Sequence, residues 1–307
     1  MKKILCILTC VATLSIAKAQ NDEKPTVVAV EVEAEEVYPM SIFSKEIGST
    51  AKIFVDGTNI RNKPSLDGEI IASLPQNTSV KIIADTEVVS NIQERTAKWY
   101  EIEFDNYKKG YVWAANLAIQ EIKMNNKNLL FGIIGTQYEM LNGFSESYLV
   151  GEVKLLVNNE LKDQHTFNAG TAANMSGAVF ENQEAVRLKD VSSIVLTSVS
   201  GEACGIPTYS QYYFVVNDKL VALPKLTSVA DAAIFYESEE FFFPQKGNKM
   251  TNQFVLETEK AEYINPDAKV LKKNGSTITK IFSWDGVEYK ETSSTEKTFK
   301  NKVEEMY

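Results

Sequence analysis

Short apolar segments with a period of two, separated by turn-forming residues, constrain this chain more than any other feature. Between residues 48 and 120, alternating segments are followed in turn by Asp56-Gly57, by Pro75 to Asn77 and by Asp105-Asn106. Strands alternate their side chains between two faces, and Gly, Asn, Asp and Pro are the residues that turns require. Short strands with such turns between them predict a small all-β barrel or sandwich over residues 48–120.

The same kind of pattern continues through residues 121–307. Asn158-Asn159, Asn217-Asp218 and Asp285-Gly286 each lie between two apolar segments, which is typical of tight β-hairpins. We therefore predict a larger all-β domain, for which a partial propeller and a sandwich both remain open because the hairpin spacing is irregular. The charged tail 295–306 is the one stretch whose pattern is compatible with a helix.

The N-terminus has the pattern of a secretory signal. Met1-Lys2-Lys3 is followed by an apolar run over residues 4–16 and by Ala17-Lys18-Ala19, which predicts a signal peptide over residues 1–19 with cleavage near Ala19. The expected location is therefore periplasmic or secreted. No later run is long and apolar enough for a spanning helix, so no membrane insertion is expected after cleavage.

Charge excludes one class of partner. The chain carries 41 acidic and 32 basic residues, a net charge of −9, and loss of Lys2, Lys3 and Lys18 with the signal would make it −12. Such a charge opposes a phosphate backbone, so no nucleic-acid partner is expected. Residues 20–47 are acidic and loosely patterned, which favours an exposed linker, although an added edge strand is the alternative.

One motif near the start of the predicted barrel is more specific than the rest. Asn59-Ile60-Arg61 is followed by Pro64-Ser65. In a strand, Ile60 would face the interior while Asn59 and Arg61 flank it on the outside, and Pro64 would end the strand pairing. Further on, Gly110 would let the chain turn tightly into Tyr111.

These residues resemble the signature of the bacterial SH3 (SH3b) domain. Asn59 to Ser65 is similar to the family's Asn-aliphatic-Arg-x-x-Pro-Ser motif, Trp99-x-x-Ile102 to its Trp-x-x-Val strand, and Gly110 to Val112 to its Gly-Trp/Tyr-Val strand. The resemblance implies a binding module of the cell envelope. Two features depart from the family: Asn77 replaces a usual Gly, and residues 85–98 form a longer polar loop that could cover a groove.

Three aromatic residues would lie near one another in this topology. Trp99, Tyr111 and Trp113 could form a platform on which a sugar or peptide stacks, and with Asn59 and Arg61 they are the candidate binding residues. The alternative is that they fill a small core that needs large side chains. We favour the core for Trp99 and leave both interpretations open for the other two.

The sequence supports no catalytic or metal site. His165 is the one histidine, so a zinc site built from several His or Cys ligands is excluded, and no cofactor is expected. Cys204 follows His165, the reverse of the order in Cys-His wall peptidases, and is interpreted as a partly buried residue in a turn. Glu237, Glu239 and Glu240 could serve a glycosidase, but a solvated acidic loop is the commoner case.

We therefore predict a non-enzymatic binding or scaffold protein outside the cytoplasm. Its SH3b module would bind peptidoglycan peptide or an envelope protein. Two alternatives remain: a cell-envelope hydrolase with carboxylate catalysis in the C-terminal domain, and an SH3b module that is purely structural and packs against its neighbour.

Overall fold

The computed structural model describes residues 38–141, 144–171, 175–183, 187–201, 204–232, 234–244, 252–265 and 270–304. The predicted signal peptide and most of the acidic linker lie outside these residues. Within them the chain consists almost entirely of antiparallel strands and turns, which confirms the all-β prediction. No helix of the described residues has the length and apolar character needed to cross a membrane.

The first six strands form one sheet in the order β1-β4-β5-β6-β2-β3. Their bounds are β1 Thr50–Lys52, β2 Thr58–Arg61, β3 Ile70–Leu74, β4 Ser79–Ile92, β5 Arg95–Phe104 and β6 Lys108–Trp113. Short 3-10 helices at Ser41–Phe43 and Ala114–Asn116 precede and follow them. This sheet curls around one apolar interior that contains Ile53, Ile60, Ile82, Ile102 and Val112, all fully buried. We call this unit the N-terminal barrel.

Thirteen further strands form two more sheets. The four-stranded sheet has the order β10-β9-β8-β7 and consists of β7 Gln120–Met124, β8 Lys127–Leu141, β9 Phe144–Val157 and β10 Glu160–Asn168. The nine-stranded sheet runs β11-β12-β13-β15-β16-β17-β18-β19, with β14 paired to β13. Its bounds are β11 Met175–Gln183, β12 Val191–Gly201, β13 Thr208–Val216, β14 Lys219–Ala222, β15 Leu226–Asp231, β16 Phe235–Phe242, β17 Gln253–Tyr263, β18 Leu271–Trp284 and β19 Tyr289–Glu304.

Strand β13 is buried on both faces and separates two cores. Tyr213 and Val215 point into a core shared with the four-stranded sheet, whereas Tyr212, Phe214 and Val216 point into a second core. The period of two therefore explains why residues 212–216 form an uninterrupted apolar run. The second core is aromatic: the ring centres of Phe214 and Trp284 lie 5.1 Å apart, and it also contains Phe241, Phe254 and Phe282.

Hairpin turns occur where the sequence placed them. Asn158 and Asn159 join β9 to β10, and Asn217 and Asp218 join β13 to β14; all four residues have positive φ. Asn and Asp tolerate this left-handed backbone better than other residues do. Gly286, with φ of 108°, takes the corresponding place between β18 and β19.

Three expectations from the sequence differ from the structure. The tail 295–304 is not a helix, because it pairs with β18 along most of β19. Residues 85–98 are not a loop, because they form the outer part of the β4–β5 hairpin. Gly110 lies inside β6 rather than at a turn, and its role is to admit Ile60 and Ile71 against the backbone.

The described end of the acidic segment packs on the barrel rather than hanging free. Ile42 and Phe43 are buried in the apolar cluster that contains the barrel interior, and the backbone N–H of Met40 donates to the carbonyl of Thr96 at 2.8 Å. Lys45 Nζ donates to the carbonyl oxygens of Ala118 and Ile119. Apolar burial and these hydrogen bonds fix this segment against the sheet.

The barrel has its own sheet but not its own core. Its interior residues belong to one apolar cluster with Leu129, Phe131 and Leu155 of the four-stranded sheet and with Val195 of the nine-stranded sheet. Because apolar burial is the main favourable term in folding, this shared cluster couples the barrel to the following sheets.

Candidate functional site

Strand β2 places two of the predicted binding residues on the outside of the barrel. Thr58 and Ile60 face inward and are buried, whereas Asn59 is exposed and Arg61 is half-buried. Arg61 pairs in register with Tyr111 of β6, and its Nη1 donates to the carbonyl oxygen of Gly68 at 2.6 Å. That bond links the end of β2 to the loop between β2 and β3.

Trp99 and Trp113 are cross-strand partners on β5 and β6. Both are almost fully buried, with 2% and 3% of their surface exposed. Trp99 Nε1 donates to Ser90 Oγ at 2.8 Å, and Trp113 Nε1 donates to the carbonyl oxygen of Ala97 at 3.1 Å. The two indoles therefore do not form an open stacking platform, because the outer part of the β4–β5 hairpin covers them.

A pocket of about 290 Å³ opens beside these indoles. Four of the five predicted binding residues, Asn59, Arg61, Trp99 and Trp113, contribute to its wall. The other lining residues are Val55, Gly57, Thr58, Leu66, Ile92, Arg95 and Asn116. All of these residues lie between positions 55 and 116, so no described residue of the later sheets lines the pocket.

Tyr111 is the predicted binding residue that the structure separates from the others. It lies on β6 opposite Glu101 and Arg61, and it is half-buried against the barrel core. It is not among the residues that line the pocket.

Sequence reasoning missed Arg95, the most informative residue of the pocket wall. Arg95 opens β5 just after the turn at Gln93 and Glu94, both of which have positive φ. Two consecutive left-handed residues make the tight turn that hairpins favour. The alternating segment on each side of this turn was the available signal, but the polar composition of residues 85–98 suggested a loop.

Arg95 is held from several sides. Its Nη1 donates to the carbonyl oxygen of Ile133 in β8 at 3.0 Å, and its guanidinium carbon lies 5.0 Å from the centre of the Trp113 ring. Only 5% of the residue is exposed, and burial lowers its pKa. A guanidinium remains charged even so, because its ordinary pKa lies far above neutral pH. The pocket therefore contains a fixed, desolvated positive charge.

The other chemical candidates are dispersed. His165 lies on β10, half-buried, with Nδ1 3.4 Å from the Tyr213 hydroxyl, and burial lowers its pKa. The facing nine-stranded sheet packs on it through Tyr213 of β13. Cys204 was expected to be partly buried and is exposed. Across the residues with assigned structure, no group of three His, Cys, Asp or Glu is placed to hold a metal ion.

The three glutamates before Phe241 lie on strand β16 rather than on a loop. Glu237 forms an ion pair with Lys260 at 2.6 Å. Glu239 accepts hydrogen bonds from the backbone N–H of Thr227 at 2.7 Å and from Thr258 Oγ1 at 3.3 Å. Both carboxylates thus have partners within the sheet.

Comparison with known families assigns the part of the chain that forms this pocket. Residues 56–118 match the bacterial SH3 domain family. This match covers the residues that form β2 to β6 and the 3-10 helix after them, and it includes every lining residue of the pocket except Val55. No curated protein and no solved structure matches the chain. The candidate site is therefore a pocket of the bacterial SH3 domain.

Proposed function

We propose that the chain is a non-enzymatic binding or scaffold protein outside the cytoplasm, and that its bacterial SH3 domain binds a cell-wall peptide or a protein of the envelope. The observation that carries this proposal is the pocket itself, which gathers Asn59, Arg61, Trp99 and Trp113. The domain family is a bacterial binding module, and among the described residues those that line the pocket all belong to the barrel.

The pocket wall suits a short peptide segment. Two guanidinium groups and the Asn59 amide offer hydrogen-bond donors for peptide oxygens, and the indoles with Leu66 offer apolar contact. A volume of about 290 Å³ holds one or two amino-acid residues rather than a long oligosaccharide.

Two of the three candidate glutamates of β16, Glu237 and Glu239, are engaged within the sheet, which supports binding rather than hydrolysis. A carboxylate that acts as acid or nucleophile must face its substrate, usually beside a second carboxylate. Glu237 instead pairs with Lys260, and Glu239 holds the Thr227 backbone. The location rests on residues 1–19, whose basic start, apolar run and Ala-x-Ala end are those of an export signal.

Co-sedimentation with purified peptidoglycan sacculi tests the proposal. We expect the chain without residues 1–19 to be retained, and Asn59→Ala to lower its retention because Asn59 is exposed at the pocket. Asn91→Ala is the matched control, since Asn91 is exposed on β4 and does not line the pocket. A folded chain that sacculi do not retain would exclude wall peptide as the ligand.

A structural role for the barrel is the second candidate, because the barrel shares its core with the later sheets. In that case pocket substitutions would leave every binding measurement unchanged. Substitution of the residues that connect the barrel to the four-stranded sheet, such as Lys154, would instead destabilise the whole chain.

A further inference from the structure

Arg95 is a buried positive charge without an acidic partner. Among the residues that the structure describes, no carboxylate lies within ion-pair distance of its guanidinium, although only 5% of Arg95 is exposed. Buried charges in proteins are normally paired, since a buried charge loses its hydration and only an ion pair or hydrogen bonds can offset that cost. A chain with 41 acidic residues does not lack possible partners.

The acid nearest to Arg95 in sequence is directed elsewhere. Glu94 accepts a hydrogen bond of 2.7 Å from the Tyr138 hydroxyl in β8, and this contact lowers the pKa of Glu94. The carboxylate next to Arg95 is thereby held away from it. Arg95 therefore lacks an acidic partner because the contact between the β4–β5 hairpin and β8 holds Glu94 in another direction.

One edge of the guanidinium has unused donors. Nη1 is taken by the carbonyl of Ile133, whereas Nε has no hydrogen-bond partner and Nη2 has one long bond of 3.4 Å to Gln93 Oε1. Nε–H and the adjacent Nη2–H point in parallel, and this pair is one that a carboxylate accepts with both oxygens. Gln93 is exposed, so its side chain can leave this edge without loss of packing.

The surroundings of this edge restrict what kind of anion fits. Trp113 covers one face of the guanidinium, and Trp99 and Ile92 line the same small pocket. Arg61 adds a second cation to its wall, with Nη1 already bonded to Gly68. An apolar wall beside two guanidinium groups favours a carboxylate attached to a small organic group over a fully hydrated inorganic ion.

From this geometry we propose that the pocket binds the carboxylate end of a peptide, with both oxygens on the Nε–Nη2 edge of Arg95 and the last residue against Trp99 and Trp113. This inference rests on the proposed function and names its ligand class. The size of the pocket fits a chain end better than the middle of an extended segment.

Calorimetry with defined probes on the chain without residues 1–19 tests the inference. N-acetyl-alanyl-alanine with a free carboxylate should bind at least tenfold more tightly than its C-terminal amide. Since two of the three tryptophans line the pocket, binding should also change the intrinsic fluorescence. A third probe, amidated at its C-terminus and carrying an internal glutamate, distinguishes a side-chain carboxylate from a chain end.

Two variants keep the result interpretable. Arg95→Lys retains the charge but not the paired donors, and it should lose most of the preference for carboxylate over amide. Gln93→Asn shortens the competing side chain at a position with positive φ that Asn tolerates, and it should tighten carboxylate binding. Both readouts compare probes on the same folded protein, so a general loss of stability cannot imitate them.

Equal affinity for the carboxylate and the amide in wild type would overturn the inference, as would equal affinity for acetate, phosphate and the dipeptide. If sacculi retain the chain but the dipeptide does not discriminate, the inference fails and the proposed function stands. If the dipeptide carboxylate binds selectively while sacculi do not retain the chain, the inference stands and the wall is not the source of the ligand.

Discussion

Lys154 Nζ donates a hydrogen bond of 2.9 Å to the carbonyl oxygen of Phe54 and lies 4.5 Å from the centre of the Phe54 ring, although the two residues are 100 positions apart in the chain. Phe54 belongs to the barrel and Lys154 to β9 of the four-stranded sheet. The same ammonium group also donates to Gln76 Oε1 at 3.0 Å and pairs with Glu152 at 3.4 Å. Through these contacts the buried ammonium group of Lys154 connects the barrel to the four-stranded sheet.

Replacement of Lys154 by Met should destabilise the chain by about 3–5 kcal/mol, because Glu152 would then be a buried charge without its partner. The free energy of unfolding in urea measures this loss. Lys162→Met is the control: Lys162 and Glu160 form an exposed ion pair, and the loss of such a pair should cost much less than the loss of the buried one. Addition of Glu152→Gln to Lys154→Met should recover part of the stability, and equal costs for the two lysine variants would contradict this account.

Lys45 should make stability depend on pH in the alkaline range. Burial lowers the pKa of Lys45 from 10.5 to about 8. Between these values the unfolded chain binds more protons than the folded chain, so the free energy of unfolding rises with pH across this window. The shift corresponds to about 3 kcal/mol at most.

The difference in unfolding free energy between wild type and Lys45→Met isolates this effect from other titrations. It should increase from pH 8 to pH 10.5 in favour of wild type. Lys109→Met, which removes a lysine at an exposed position, is the control variant. A flat difference for Lys45→Met would show that Lys45 is not desolvated in the folded chain.

Gly110→Ala should destabilise the barrel by about 1–3 kcal/mol, the usual cost of overpacking. A Cβ at this position would lie 2.5 Å from Ile60 Cγ2 and 2.8 Å from Ile71 Cδ1. Gly135→Ala is the matched control, since a Cβ there meets nothing within 4 Å. Thermal unfolding of both variants measures the contrast, and similar midpoints would mean that Gly110 is not a point of close approach.

Two substitutions of Asn217, in the turn between β13 and β14, should show whether the turn needs its backbone conformation or its side chain. Asn217 has φ of 46°, where a β-branched residue is strained by about 1–2 kcal/mol. Asn217→Val should therefore lower the free energy of unfolding by about that amount, whereas Asn217→Gly should change it by a few tenths of a kcal/mol. A larger loss for Gly than for Val would show that the Asn side chain itself holds the turn.

Much of the local structure followed from the sequence. The alternating segments and the Asn, Asp and Gly pairs between them predicted the strands and hairpins, because side-chain period and turn conformation are local properties of the backbone. The motif from Asn59 to Ser65 likewise indicated a bacterial SH3 domain, and the family match over residues 56–118 confirms it. The tail and residues 85–98 were exceptions. Their polar composition suggested a helix and a loop, and only pairing with β18 and within the β4–β5 hairpin makes them strands.

What the sequence by itself determined, then, was the all-β class, the main turns, and four residues that share one pocket. The tertiary structure decided which aromatic residues are buried, that the barrel and the later sheets share a core, and that Arg95 lines the pocket with its Nε left without a hydrogen-bond partner. The reason is physical. Arg95 is bonded to Ile133, 38 positions away, and Lys154 to Phe54, 100 positions away, and contacts at such separations leave no periodic trace in the sequence.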